Sequence, residues 1–202
     1  DQVLPAWSEK EAAERAASLL RSGSTHAAMK GLIHTNILLK ALLDARAGLR
    51  QPGERVSHVF LADIPAYPKL LAITDAAVNI APDRSAKAAI LQHAIDLMAT
   101  IGVDPPKAAI LSAVETVNPL ISSSLDAAAL SVMSHRGQVR GALVDGPLAF
   151  DNAISLKAAE VKGIASPVAG DADILLVPDL VSGNILAKNL EYMADATLAG
   201  LV

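Results

Sequence analysis

The stretch AAILSAVETVNPLISSSLDAAALSVMSHRGQVRGALV, residues 108–144, decides how this chain folds. It opens on an apolar run of strand length at 108–111. Cap chemistry at Ser123 and Asp126 then leads into helical spacing over 126–135, and an apolar run returns at 141–144. Strand, helix and strand in that order mark a parallel sheet covered by helices.

The alternation extends both ways. Toward the N-terminus, 83–100 is the longest amphipathic stretch. The runs 56–61 and 70–73 read as strands, and Pro65 and Pro68 between them restrict any mutual pairing to an edge or a turn. A helix is predicted over 37–45 and a brief strand over 27–29. Ser8 and Glu11 form a capping box opening a helix through Leu20, stopped by Gly23. Toward the C-terminus, Asp145-Gly146-Pro147 reads as a tight turn, 155–161 as a helix with Gly163 behind it, and 174–177 as a buried strand. The last helix is predicted over 184–193, and 199–202 reads as the opening of a buried strand. The fold class is α/β, a three-layer α/β/α arrangement with a largely parallel sheet. No linker divides it, so 1–202 is read as one compact domain, or one and part of a second.

Of the 202 residues, 52% are hydrophobic, 19% charged and 2% aromatic, a balance that excludes disorder. The formal charge of −4 offers no basic footprint, so nucleic acid is not an expected partner. No apolar run approaches the ~20 residues of a membrane span, so no membrane partner is expected either. The absence of cysteine excludes disulfides, thiolate metal sites and a cysteine nucleophile, and fits a reducing, cytoplasmic setting. The chain starts at Asp1 without a signal-peptide pattern, and both ends read as cut.

Polar and glycine residues cluster in five segments, 30–36, 74–79, 112–118, 144–152 and 178–184, each placed just after a strand candidate. An open parallel sheet forms its ligand crevice there. Taken singly, each also suits an ordinary cap or turn. Asp145 and Asp151 are either turn and first-turn carboxylates or site carboxylates. Ser182-Gly183-Asn184 at a helix start would offer free N–H groups to an anion, or be a plain N-terminus. His34 reads as a core histidine or a site residue, and Lys30, at a strand end beside Gly31, as the best cation for an anionic group or only a solvated tip. The histidines have no metal-ligand spacing, so no metal is expected, and dinucleotide, P-loop and serine-hydrolase motifs are lacking.

Several motifs, in order, carry a resemblance. They are MKGLIHT (29–35), SHVF (57–60), ITDAAVNIAP (73–82), LSAVETVNP (111–119), VDGPLAFDNAIS (144–155), KGIASPVAG (162–170) and VPDLVSGNILAK (177–188). Together they resemble the phosphate acetyltransferase and phosphate butyryltransferase family over almost the entire chain. The resemblance implies a fold like that of isocitrate and isopropylmalate dehydrogenases. It also implies reversible transfer of an acyl group, acetyl or butyryl, between coenzyme A and inorganic phosphate. Coenzyme A is then a substrate, no separate cofactor is implied, and a homodimer is. The matching motifs place Lys30, Gly31, His34 and Thr35 on one cleft wall, with Asp145, Gly146, Asp151, Ser166, Gly183 and Asn184 on the other. Lys30 and the Gly183-Asn184 helix start are candidate anion contacts, and Asp145 and Asp151 candidates to orient cations or take a proton. The KGLIHT form looks more like the butyryl branch.

Family members carry a further Ser-Arg segment and an earlier N-terminal segment, so the catalytic set is expected to be incomplete here and turnover from this stretch alone weak or absent. The alternative reading is a noncatalytic acyl-coenzyme A-sensing domain regulating an attached enzyme. A decarboxylating dehydrogenase of the same fold would need a cofactor loop and metal carboxylates that this sequence does not display.

Overall fold

The computed structural model describes residues 3–44, 49 and 53–202. It divides into two compact units, Asp1–Arg55 and Val56–Val202. In the first, α1 (Glu9–Arg21) is capped by Ser8, whose side chain accepts the Glu11 N–H, and Ala13 and Ala17 are buried one turn apart on one face. Glu11 accepts instead from the N–H of Trp7 at 2.9 Å, so the expected capping box is shifted by one residue. The helix stops at Gly23 in the left-handed region, φ 72°. The helix expected at 37–45 is α2 (Thr35–Leu42), and residue 45 lies outside the described residues. No strand forms at 27–29. Those residues are exposed coil, a run of alanines and one Met with no β-branched side chain to favour a pleated ladder.

The second unit is a six-stranded sheet. Its strands are β1 (Val59–Asp63), β2 (Leu71–Thr74), β3 (Lys107–Leu111), β4 (Leu143–Leu148), β5 (Ile174–Leu176) and β6 (Thr197–Leu201), in the order β4-β3-β5-β2-β1-β6. The four strands β4, β3, β5 and β2 pair in parallel, whereas β1 is antiparallel to both of its neighbours. The helices are α3 (Arg84–Thr100), α4 (Ser122–His135), α5 (Phe150–Ile154), α6 (Leu156–Val161) and α7 (Leu180–Met193). Period-two alternation sorts the strand side chains onto two faces. Leu71, Ile73, Ala109, Leu111 and Leu175 share one core with Ala153, Ala159 and Leu190 of α5, α6 and α7. Ala72, Ala108, Ile110, Ile174 and Leu176 share the other with Ile90, Leu91, Ile95 and Leu130 of α3 and α4. The sheet is therefore the middle of three layers.

Several expectations are corrected. Pro65 and Pro68 lie in the connection rather than in a strand, so β1 and β2 pair over four register positions and β2 is buried at every residue inside the sheet. Asp145-Gly146-Pro147 is not a tight turn but part of β4, where a Cβ on Gly146 would come within 2.8 Å of Ile110. Helix α4 begins at Ser122 rather than 126, with Ile121 as its N-cap and no side-chain cap. Helix α7 begins at Leu180 rather than 184, because Asp179 is the cap and accepts the Ser182 N–H at 2.8 Å. The terminal strand exists, but β6 is a mostly exposed edge. It lies against β1 with Gly200 opposite Phe60, and a Cβ on Gly200 would stand 2.8 Å from Nε2 of His58.

The amino ends of the parallel strands are tied by charge. Lys69 Nζ lies 2.7 Å from Asp171 and 2.8 Å from Asp173, and Lys107 Nζ lies 2.6 Å from Asp171. Asp173 also accepts the Lys107 N–H at 2.8 Å, and the Tyr67 hydroxyl donates to the Ala172 carbonyl at 2.6 Å. Hydrogen bonds from Lys107 and Lys69 hold the Asp171 carboxyl below its usual range. Burial, reinforced by Asp171 and Asp173, pushes the Tyr67 phenol up to about 12.

Candidate functional site

Parallel strands of one sheet open their carboxyl ends on one rim, and register fixes what meets there. Leu111 pairs with Leu148, Ile110 with Leu176, and Leu176 with Thr74. Asp75 and Val177 therefore share a level, and Ser112 and Ala149 share the next, each immediately following its strand. Segments 74–79, 112–118 and 178–184 lie on this rim as expected, but 144–152 begins inside β4, and 30–36 follows no strand.

Asp75 is the most heavily used polar side chain of the rim, and sequence reasoning did not single it out. It is 3% exposed. Its Oδ1 accepts the N–H groups of Ala77 and Val78, both at 2.9 Å, and its Oδ2 accepts those of His58 at 3.2 Å and Asn79 at 3.3 Å. The Asn79 side chain adds a fifth donor at 2.6 Å. Four of these donors are backbone groups, which any residue supplies, so only the Asp75-to-Asn79 spacing could have hinted at the cluster. His58 is buried beside it with its ring edge-on to Phe60, centroids 4.3 Å apart, and burial lowers its pKa against the opposing pull of Asp75. Ser57 completes this corner by bonding His93 Nδ1 at 2.9 Å.

The start of α7 differs from the expected open anion site. Three of its first four N–H groups are taken, Leu180 by the Ile80 carbonyl at 3.1 Å, Ser182 by Asp179 and Gly183 by the Asp179 carbonyl at 3.1 Å. Gly183 and Asn184 lie within the opening turns of the helix. A Cβ on Gly183 would meet Val177 at 2.6 Å and Ala76 at 3.0 Å, so this glycine is there for packing. Asn184 is exposed, and its Nδ2 donates to the Ala76 carbonyl at 3.4 Å.

Asp145 sits half-buried in β4 and accepts the Gly146 N–H at 2.8 Å. Asp151, in the first turn of α5, is exposed and makes no side-chain hydrogen bond among the described residues. Its neighbour Asn152 is fully buried, with both amide atoms unpartnered among the described residues. Ser166 accepts the N–H groups of Val168 at 3.1 Å and Ala169 at 3.2 Å, shaping the turn in which it lies. Lys162 bonds Glu115 at 3.1 Å, tying the end of α6 to the loop after β3.

In the first unit, His34 is neither buried nor bonded through its ring to backbone. Its ring Nδ1 pairs with Glu9 at 2.8 Å, and its backbone N–H donates to the same carboxylate at 3.0 Å. The backbone bond to His34, then the bond to its ring, lowers the Glu9 pKa. Lys30 stands at no strand end, and its ammonium donates to the carbonyls of Gly31 and Ile33, both at 3.1 Å. Thr35 is exposed as the first residue of α2. Gly31 has no left-handed backbone, and a Cβ there would meet open space. The Ala28–Ile33 loop and α1 line an open apolar hollow of about 200 Å³, with Ala12, Ala16 and Leu38 in its walls.

The rim combines backbone carbonyls, hydroxyls, an exposed carboxylate and an exposed amide, a set suited to orienting a polar substrate and moving a proton. Among the described residues no group of three or more His, Asp or Glu is placed to hold a metal ion, and no helix is long and apolar enough to cross a membrane.

A model described as phosphate acetyl/butaryl transferase matches residues 8–202. A phosphate acetyltransferase of Rickettsia prowazekii (strain Madrid E) is 54% identical over 202 residues, 100% of this chain and 57% of that protein. A probable phosphate butyryltransferase of Bacillus subtilis (strain 168) is 45% identical, over 100% of this chain and 67% of that protein. The crystal structure of a branched-chain phosphotransacylase from Enterococcus faecalis V583 superposes with a TM-score of 0.88 at 36% identity, covering 98% of this chain and 70% of that one. The chain thus spans less than two thirds of the first curated relatives it matches. With the family model matched over nearly its whole length, the chain belongs to the phosphate acetyl/butaryl transferase family.

Proposed function

We propose that this chain serves in the reversible transfer of a short acyl group between coenzyme A and inorganic phosphate. The observation that carries the reading is the family match over 8–202. In the forward direction the coenzyme A thiolate attacks the acyl phosphate carbonyl. A carbon–sulfur bond forms, the carbon–oxygen bond to phosphate breaks, and phosphate leaves with the electron pair. The thiol proton goes to a base, and of the two candidate carboxylates Asp151 is the one without a competing partner. Asp145 is the weaker candidate, its carboxylate being engaged with the Gly146 N–H. Lys30, His34, Thr35, Ser166 and Asn184 supply polar contacts to the substrates, while Gly31 admits close approach. Gly146 and Gly183 serve the site through packing. Coenzyme A is substrate rather than resident cofactor, and the protein acts in the cytoplasm as a homodimer. Curated relatives carry both acetyl and butyryl names, so acetyl and butyryl groups are both proposed as substrates.

The test is to incubate the intact protein with acetyl-, propionyl- and butyryl-coenzyme A, with and without phosphate, and follow free thiol. Phosphate-dependent thiol release is expected. Release indifferent to phosphate overturns the reading.

A further inference from the structure

We propose that Asp75 is the positioning residue for the opening turn of α7 and, through it, for the exposed side chain of Asn184. Asp75 cannot serve as a base itself. Both oxygens are committed to five N–H donors, and the residue is 3% exposed. What those bonds fix is the loop 75–80, and α7 rests on that loop at three points. The Leu180 N–H donates to the Ile80 carbonyl at 3.1 Å, and the Asn184 amide donates to the Ala76 carbonyl at 3.4 Å. The bare Cα of Gly183 sits against Ala76, where an added Cβ would come within 3.1 Å of the Ala76 Cα. A carboxylate gathering this many donors holds the loop in one conformation, and the loop dictates where the helix starts.

The link to catalysis rests on the acyl-transfer reading, in which Asn184 contacts substrate. The link to α7 does not. The experiment therefore has two arms, run on the intact protein with Asp75→Asn, and with Asn79→Ala as the milder variant should Asp75→Asn not fold. Asn79→Ala removes the 2.6 Å donor, together with that amide's 2.8 Å bond to the Val56 carbonyl, and leaves the carboxylate in place. In the first arm, backbone hydrogen exchange at 180–184 is expected to speed up about tenfold or more while 90–95 in α3 stays protected. In the second, kcat/KM for phosphate-dependent thiol release is expected to fall about tenfold to a hundredfold. That loss should be strongly non-additive with Asn184→Ala in a double-mutant cycle. Unchanged exchange at 180–184 in a folded variant overturns the proposal, and so do additive rate losses. If the unmodified protein shows no phosphate-dependent release, the acyl-transfer reading falls, and the exchange arm still decides whether Asp75 positions α7.

Discussion

The two rims of the sheet use aspartate in opposite ways. At the amino ends, Asp171 and Asp173 face Lys69 and Lys107, so charge meets charge across the starts of β2, β3 and β5. At the carboxyl ends, Asp75 collects neutral N–H donors. The first arrangement staples three strand starts together and engages both carboxylate oxygens of Asp173. The second shapes a loop and leaves neighbouring polar groups available. Of the buried side-chain atoms without a partner among the described residues, His58 Nδ1 adjoins the carboxyl ends, whereas the Asn152 amide belongs to α5, where its backbone accepts from Gly170 on the approach to β5. The difference separates a rim built for stability from one with polar capacity to spend on a ligand.

The comparison can be broken most forcefully at Asp173. Asp173→Ala orphans the Lys107 N–H and removes a near-buried partner of Lys69, and is expected to cost about 3 kcal/mol in urea unfolding. Transfer activity per folded molecule should be unchanged, and a selective loss of activity would erase the division between the rims. The mirror experiment is Asp151→Asn. Thiol release is expected to slow about a hundredfold with the unfolding midpoint intact, and an unaltered rate returns Asp151 to a plain first-turn carboxylate. Asn152→Leu sharpens the question of spare polarity, because an apolar residue of similar shape removes two unpaired buried atoms. A gain of about 1 kcal/mol is expected, and a loss would mean that the amide is satisfied within the folded protein.

The gentlest probe is pH. The neutral form of His58 is favoured by burial, so its folded pKa lies below the unfolded value. Its contribution is complete above about pH 6.5 and declines as pH falls from there toward the folded pKa. The raised Tyr67 pKa acts at the other extreme, its contribution being lost as pH climbs from about 10 toward about 12. The lowered Asp171 pKa gives stability that is present above about pH 4 and disappears in stronger acid. A His58→Gln variant should flatten the stability profile only just below about pH 6.5, and Tyr67→Phe only above about pH 10. A change outside its own window would contradict the cause assigned to that group.

Local chemistry made much of this fold readable. Ser8 announces α1 because a cap acts over three residues. The apolar runs at 108–111 and 174–177 are strands because a buried parallel sheet tolerates little else. What misled was chemistry shared by two structures. Asp-Gly-Pro suits a turn, yet β4 runs through it, since the contact of Gly146 with Ile110 and Ala127 is tertiary. The helix start at Leu180 is obscured because Ser182 and Asn184 are as good caps as Asp179. The site is legible to a lesser degree. Asp151 and Asn184 stand exposed, but the burden on Asp75 comes from backbone donors that no residue type reveals.

Gly200 carries a consequence for assembly of the sheet. Strand β6 is mostly exposed, with only Leu198 packing in part against the core, so burial gives little help in choosing its alignment with β1. The imidazole of His58 occupies the space a Cβ at position 200 would need. Sliding the strand by two residues would keep its faces but drive Leu198 or Val202 onto that ring. The bare glycine thus works as a notch and the histidine as its key, so that the outermost strand can click into only one alignment.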